Sequence, residues 1–240
     1  MEASFIILET LNFLTTNLTN TKVLEHLYSE KYDTNIIGQK MNIIDKIISL
    51  SSSTNNDEFL TYQINFMKSL SLKINIDTIK YFYDCNINQF PILTKAFSLY
   101  NHKDPLVRNV VKSIFLAIIK IDEPNLRNFM AAFPNNLYYP NLIFGLKTTI
   151  LKLCEIDLGD ERNKNLYEDL QKQHDILIDS ILYLSDLLSL NIENINYILI
   201  NSLLNEILFP LLNAIISEKK GVISIVHSFY ILSLIKTQIY

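Results

Sequence analysis

The chain has 240 residues, with 21 Lys+Arg against 25 Asp+Glu and a formal net charge of −4; 49% of the residues are hydrophobic and 19% charged. That is too apolar for a disordered chain and long enough to bury a sizeable core. The glycines Gly38, Gly145, Gly159 and Gly221 stand alone and there are six prolines, which excludes a glycine-cradled phosphate or dinucleotide site and starves a β-sandwich of turns.

A first helix is expected where Ile7, Leu11, Leu14 and Leu18 step +4, +3, +4. Thr21–Glu30 reads as a short second helix with Val23, Leu24, Leu27 and Tyr28 inward, and Ile37, Met41, Ile44 and Ile48 repeat the stepping on a third. Ser51–Asn56 is a loop, after which Asn55 and Glu58 resemble a capping box. The helix it opens carries Leu60, Ile64, Met67 and Ile74 on one stripe and Phe59, Phe66 and Leu70 on another, so it should be covered on two sides. Asp77 is placed to cap a short helix through Tyr83, and Pro91 to open the next, to about Tyr100.

Asp104-Pro105 opens a helix with Val107, Val110, Val111, Ile114 and Ile118 on its inner face. Asp122-Glu123-Pro124 repeats that opening, as does Pro140 ahead of Leu142–Cys154. Asp157–Lys164 is the most charged loop; beyond it Leu166, Leu170, Leu177, Ile181, Leu184 and Leu188 keep helical spacing. Asn191–Ser217 reads as one or two helices with Pro210 at a bend, closed by Gly221. The last helix has no stop signal before Tyr240, so the chain is expected to be cut inside an element. The fold class is all-α: about a dozen helices in an armadillo/HEAT-like stack of hairpins, an α-solenoid. Residues 1–121 form one helical-repeat region and 122–240 continue the same array.

The most specific local pattern is Leu93–Ile119, where an apolar helix is followed by Asp104-Pro105 and then Val107-Arg108. This order resembles the second helix of a HEAT repeat. Asp104 would cap, Pro105 would fix the first turn, Val107 would pack inward, and Arg108 would reach a carboxylate or carbonyl on the adjacent repeat.

Chemistry-bearing patterns are sparse. Cys85 and Cys154 fit no metal or redox spacing and read as buried thiols in a reducing compartment. His26, His102, His174 and His227 lack partners at ligand spacing, and His174-Asp175 with Asp179 reads as an exposed helix face. Tyr81-Phe82-Tyr83 and Tyr138-Tyr139 lack accompanying cations and read as packing surfaces. No catalytic, cofactor or metal site is assigned, and neither nucleic acid nor a small-molecule substrate is expected as a partner. The start Met1-Glu2-Ala3-Ser4 lacks a basic segment, and Val222–Ile235, the most membrane-like run, falls short of a spanning helix.

One resemblance sharpens this. Tyr62, Phe66, Lys68-Ser69-Leu70-Ser71-Leu72-Lys73, Thr78-Ile79, Phe82-Tyr83, Phe90-Pro91, Asn101-His102 and Val107-Arg108 are similar to the FPL domain. That domain defines the endosomal-maturation (Ema) family, whose animal members carry a C-type-lectin name (family 16). The eponymous Phe-Pro-Leu stands here as Phe90-Pro91-Ile92. Tyr139–Leu142, Asp160–Asn163, Leu184–Asp186 and Leu208–Leu211 extend the similarity, and the chain resembles a member shortened at both ends.

The resemblance implies a cytoplasmic protein, peripheral to endosome/lysosome or Golgi membranes, that acts in trafficking and autophagy. Its implied partners are a tethering complex or Rab machinery, with a ubiquitin ligase also among the family's associates. The expected function is a non-catalytic scaffold. The alternatives are an adaptor or cofactor of a ubiquitin ligase in mitophagy or autophagy, and a purely structural domain of a longer trafficking protein.

Overall fold

A computed structural model describes residues 2–17, 25–26, 28–29, 31–33, 40–49, 57–132, 138–155 and 164–216. Among the described residues the regular structure is helical apart from one short two-stranded ribbon. The chain forms two compact units, Met1–Phe129 and Met130–Tyr240.

In the first unit, α1 (Glu2–Asn17) buries Leu8, Leu11 and Thr15, while Ile7 is 48% exposed. The expected stripe through Ile7 is therefore rotated by about one residue. Ile7 and Leu8 both sit at helical spacing from Leu11, so stepping alone does not choose between them. Tyr28 is buried and meets the Phe82 ring edge-on, with centroids 4.8 Å apart. Burial pushes its hydroxyl pKa up to about 12. Val23, Leu24 and Leu27 lie outside the described residues, as do Leu18, Ile37 and the Ser51–Asn56 loop with its Asn55 cap.

The expected third helix is shorter than its spacing suggested. Met41 belongs to β2 (Lys40–Asn42), which pairs antiparallel with β1 (Lys31–Asp33), Met41 opposite Tyr32. Helix α2 (Ile43–Ser49) starts only afterwards and buries Ile44, Ile47 and Ile48. Apolar spacing alone does not separate a short ribbon from the start of a helix, and here pairing with 31–33 decides.

Helix α3 (Asp57–Ser71) is central, as its two stripes require. It packs against α1 and α5 (Pro105–Ile119) and buries Phe59, Gln63, Ile64, Phe66, Met67 and Leu70. Leu60 is half-buried, and Ile74 is buried just past the helix end. The buried Gln63 amide donates to the carbonyls of Ile47 (3.1 Å) and Ile48 (3.2 Å). It thereby satisfies carbonyls at the end of α2 that have no intrahelical partner. Helix α4 (Pro91–Ser98) packs on α2, α3 and α5, and α6 (Pro124–Ala132) follows. In α5 the buried face is Val107, Val111, Ile114, Phe115, Ile118 and Ile119, with Val110 half-buried.

In the second unit, α7 (Tyr138–Glu155) packs against α8 (Lys164–Ser189) and α9 (Glu193–Leu203). The α7 start is two residues ahead of the expected Pro140 opening. Pro140 sits in the first turn, where its missing N–H costs nothing. Leu142, Ile143, Leu146, Ile150 and Leu153 are buried from α7, and Leu177, Ile181, Leu184 and Leu187 from α8. The buried Tyr138 and Tyr183 hydroxyls bond each other. Asn191, in the left-handed region at φ 52, turns the chain between α8 and α9, and the Asn196 amide caps Leu188 O at 3.0 Å.

At Pro210 the expected bend is absorbed without a break. A π turn, Leu204–Leu208, joins α9 to α10 (Phe209–Ile216). Its wider spacing accommodates the donor that Pro210 lacks. The resulting helix Glu193–Asn213 is long and apolar enough to cross a membrane by length and composition, and 22% of its 18-residue apolar stretch is buried. Val222–Ile235, Gly221 and the Asp157–Asn163 loop lie outside the described residues.

Gly145 sits inside α7, and an added Cβ would meet nothing within 4 Å. Gly145→Ala is expected to stabilise the chain by about 1 kcal/mol, because glycine is the weaker helix former. Urea denaturation should show a raised midpoint at an unchanged slope.

Candidate functional site

Two features of the first unit concentrate the notable residues: a corner at 102–108 and a concavity beside it. The corner is built by capping. Asp104 Oδ1 accepts the Leu106 N–H at 2.9 Å, and Pro105 occupies the first helical position of α5. The His102 Nδ1 accepts the Asp104 N–H at 3.1 Å. Val107 is buried. Arg108 Nη1 donates to the carbonyls of His102 (2.6 Å) and Lys103 (3.0 Å). The arginine therefore clamps its own corner and does not reach a neighbouring repeat as the sequence suggested. The reason is proximity: loop carbonyls five and six residues back lie within reach of a side chain on the first turn. Asp104→Ala should lower stability by about 1 kcal/mol through loss of the cap; a urea midpoint shift reads it.

The concavity has a volume of about 490 Å³ and a wall of short polar turns over an aromatic floor. Asn75 sets its first turn: Asn75 Oδ1 accepts the N–H groups of Asp77 (2.9 Å) and Thr78 (3.1 Å). Asn75, not Asp77, thus shapes the turn ahead of the 3₁₀ turn Ile79–Tyr81, whose N-cap position, Thr78, makes no side-chain cap bond. The expected helix through Tyr83 stops there, because the chain then folds into a tight loop closed by the Asp84–Gln89 bridge. Asn88 is left-handed within that loop, at φ 51. The Tyr83 hydroxyl is shared between Asn88 Oδ1 (3.2 Å) and the Asn125 carbonyl (3.4 Å), which ties the loop to α6. Burial, then the nearby Cys85, Glu123 and Asp84, raises the Tyr83 pKa.

Phe90 and Pro91 hold the floor. Pro91 is the first residue of α4, and Phe90, 0% exposed, lies 5.9 Å from the Tyr83 ring and 6.4 Å from that of Phe129. Ile92 is equally buried. The far wall is Glu123, whose Oε1 accepts the Asn125 amide at 3.1 Å and whose Oε2 accepts the Leu126 N–H at the start of α6. Of the expected Asp122-Glu123-Pro124 opening, Glu123 is the cap, and Asp122 pairs with Arg127 at 2.9 Å. Phe82 and Tyr83 are packed and Tyr81 is half-buried beneath Lys80, whose Nζ lies 5.1 Å from the ring centroid.

Cys85 departs from expectation: it is exposed, on the loop lining the opening. A short turn has no interior in which to hide a side chain. His174 lies 3.6 Å from Asp175 on a partly exposed face of α8. Among the described residues no cluster of His, Cys, Asp and Glu could hold a metal ion. Sequence reasoning missed the concavity itself. Its available signals were the Asn75–Thr78 turn spacing and two isoleucines, Ile76 and Ile87, stranded in polar stretches.

The family model for FPL, described as an uncharacterised conserved protein, matches residues 2–119. That span takes in α1 to α5, the corner and most of the concavity. The chain belongs to the FPL-domain family. It is 31% identical to human "Protein CLEC16A" over 95% of this chain, and 32% identical to the Drosophila melanogaster "Protein CLEC16A homolog" over 85%. With "Protein TRANSPARENT TESTA 9" of Arabidopsis thaliana it shares 22% over 95%. The chain spans 21%, 18% and 27% of those proteins, respectively. No solved structure matches. Within the FPL match, Phe66, Leu70, Phe82, Tyr83, Phe90 and Val107 are all buried, so much of the similarity specifies how the domain packs.

Proposed function

We propose that this FPL-domain chain is a non-catalytic helical scaffold in endosome–lysosome (vacuole) trafficking and autophagy, acting by protein contacts at endomembranes. The observation that carries the proposal is the family match combined with where its residues lie. Phe82, Phe90 and Val107 serve the core and Arg108 clamps a turn, which suits a domain whose outer surface does the work. Stacked helical hairpins offer such surface without needing a reactive centre. The trafficking role is the one the family resemblance implies, and tethering or Rab machinery are its proposed partners. Cytoplasmic placement, peripheral to endosome, lysosome or Golgi membranes, belongs to the same proposal.

Immunoprecipitation of the tagged chain should recover tethering-complex or Rab-regulatory subunits, with staining on endosomes or the Golgi. A diffuse protein that recovers none of them would contradict the proposal.

A further inference from the structure

We propose that the concavity under the Asp84–Gln89 loop is the docking site for an extended segment of a partner protein that carries apolar side chains between basic ones. The inference rests on the scaffold reading and names its surface. Three observations on one opening support it.

The first is apolar. Ile76 and Ile87 both line the concavity and are 53% and 61% exposed. Scattered exposed isoleucines need no explanation, but two facing one recess supply an apolar rim for an inserted side chain. The second is charge. Setting aside Asp45, which has a partner of its own, Asp84 and Glu123 line the site, and Lys80 is the one basic residue among its described lining residues. An excess of negative charge around an apolar opening favours cationic residues beside the anchor and disfavours acidic ones.

The third is rigidity. Asp84 Oδ1 is held by the Asn86 N–H at 2.9 Å, Glu123 by its cap bonds, and the Tyr83 hydroxyl links the loop to α6. A site fixed this way loses little freedom when occupied. Its volume of about 490 Å³ suits one or two large side chains, not a folded domain.

The test uses the whole chain and three fluorescein-labelled nonapeptides. One reads Gly-Lys-Arg-Leu-Phe-Lys-Ser-Gly-Gly, the second replaces its three basic residues by Glu, and the third replaces Leu-Phe by Ser-Ser. By fluorescence anisotropy the first should bind saturably and the others at least about tenfold more weakly. Ile87→Ser, which removes the apolar side chain without adding charge, should weaken the first peptide by about tenfold with an unchanged circular dichroism spectrum. Should that variant misfold, Ile76→Ser carries the same comparison. Bound peptide should also slow alkylation of Cys85, followed by mass spectrometry.

Equal binding of all three peptides, or binding unchanged in both isoleucine variants, would overturn the assignment. Self-association of the wild type that Ile87→Ser abolishes would give the recess to a second copy and overturn it equally. Cellular partners captured undiminished by Ile87→Ser would overturn the docking site and leave the scaffold reading intact. A wild type that captures no trafficking machinery would contradict the scaffold reading itself, whatever the peptides do.

Discussion

Val111→Asp is expected to abolish the cooperative thermal melt of the chain and leave it largely unfolded at room temperature. Val111 is 0% exposed on the inner face of α5, between Val107 and Ile114, and α5 packs against the central helix α3. A carboxylate there loses its hydration and gains no partner from that apolar face. The penalty is about 4 kcal/mol or more, in the range that separates buried charges from ordinary substitutions. Total stabilities of roughly 5–15 kcal/mol leave little margin for it. Arg108→Ala on the same helix is the informative control. It removes two donor bonds to loop carbonyls and should cost only about 1–2 kcal/mol. A melt of Val111→Asp that matched wild type in far-ultraviolet circular dichroism would mean that the face assigned to α5 is wrong.

Phe90→Ala is the second large effect, expected to cost about 3–5 kcal/mol. The ring is fully buried and contacts Tyr83 and Phe129, which themselves lie 5.1 Å apart. Deleting it empties the junction where the Asp84–Gln89 loop, α4 and α6 meet. Relaxation is restricted because Pro91 fixes the backbone on one side and the loop bridge on the other. Phe90→Leu should recover more than half of the loss in urea denaturation, since most of the volume is restored. If Phe90→Ala and Phe90→Leu proved equally mild, the aromatic floor would not be the keystone of this region.

The helical architecture was legible because long amphipathic segments declare themselves. The two stripes of α3, the Asp104-Pro105 opening and the unbroken face of α5 each followed from periodicity and capping chemistry. The errors have separate physical origins. On α1, neighbouring residues at helical spacing left the face ambiguous by one position, and only packing against α3 chose Leu8 over Ile7. At Met41 the Lys40–Asn42 segment joined a two-stranded ribbon, a choice made by the 31–33 segment and invisible within Lys40–Asn42 itself.

The candidate site was the least legible part. Its walls come from three separated stretches, Asp45 on α2, the turns at 75–89, and Glu123 with Asn125 at the start of α6. No local pattern records that these meet. Short turns stabilised by Asn75, Asp84 and Glu123 capping also look like ordinary loops in sequence, because the same residue types serve both. The Phe-Pro motif was recognised as a family signature, whereas its physical role emerged only from the buried rings around it.

Proximity labelling with the tagged chain in living cells, run beside the unfolded Val111→Asp variant, tests the central claim most directly. The account predicts enrichment of endosomal or Golgi tethering and Rab-regulatory proteins by the wild type, lost in the variant. Labelling by the folded wild type that is no different from the unfolded variant would contradict it.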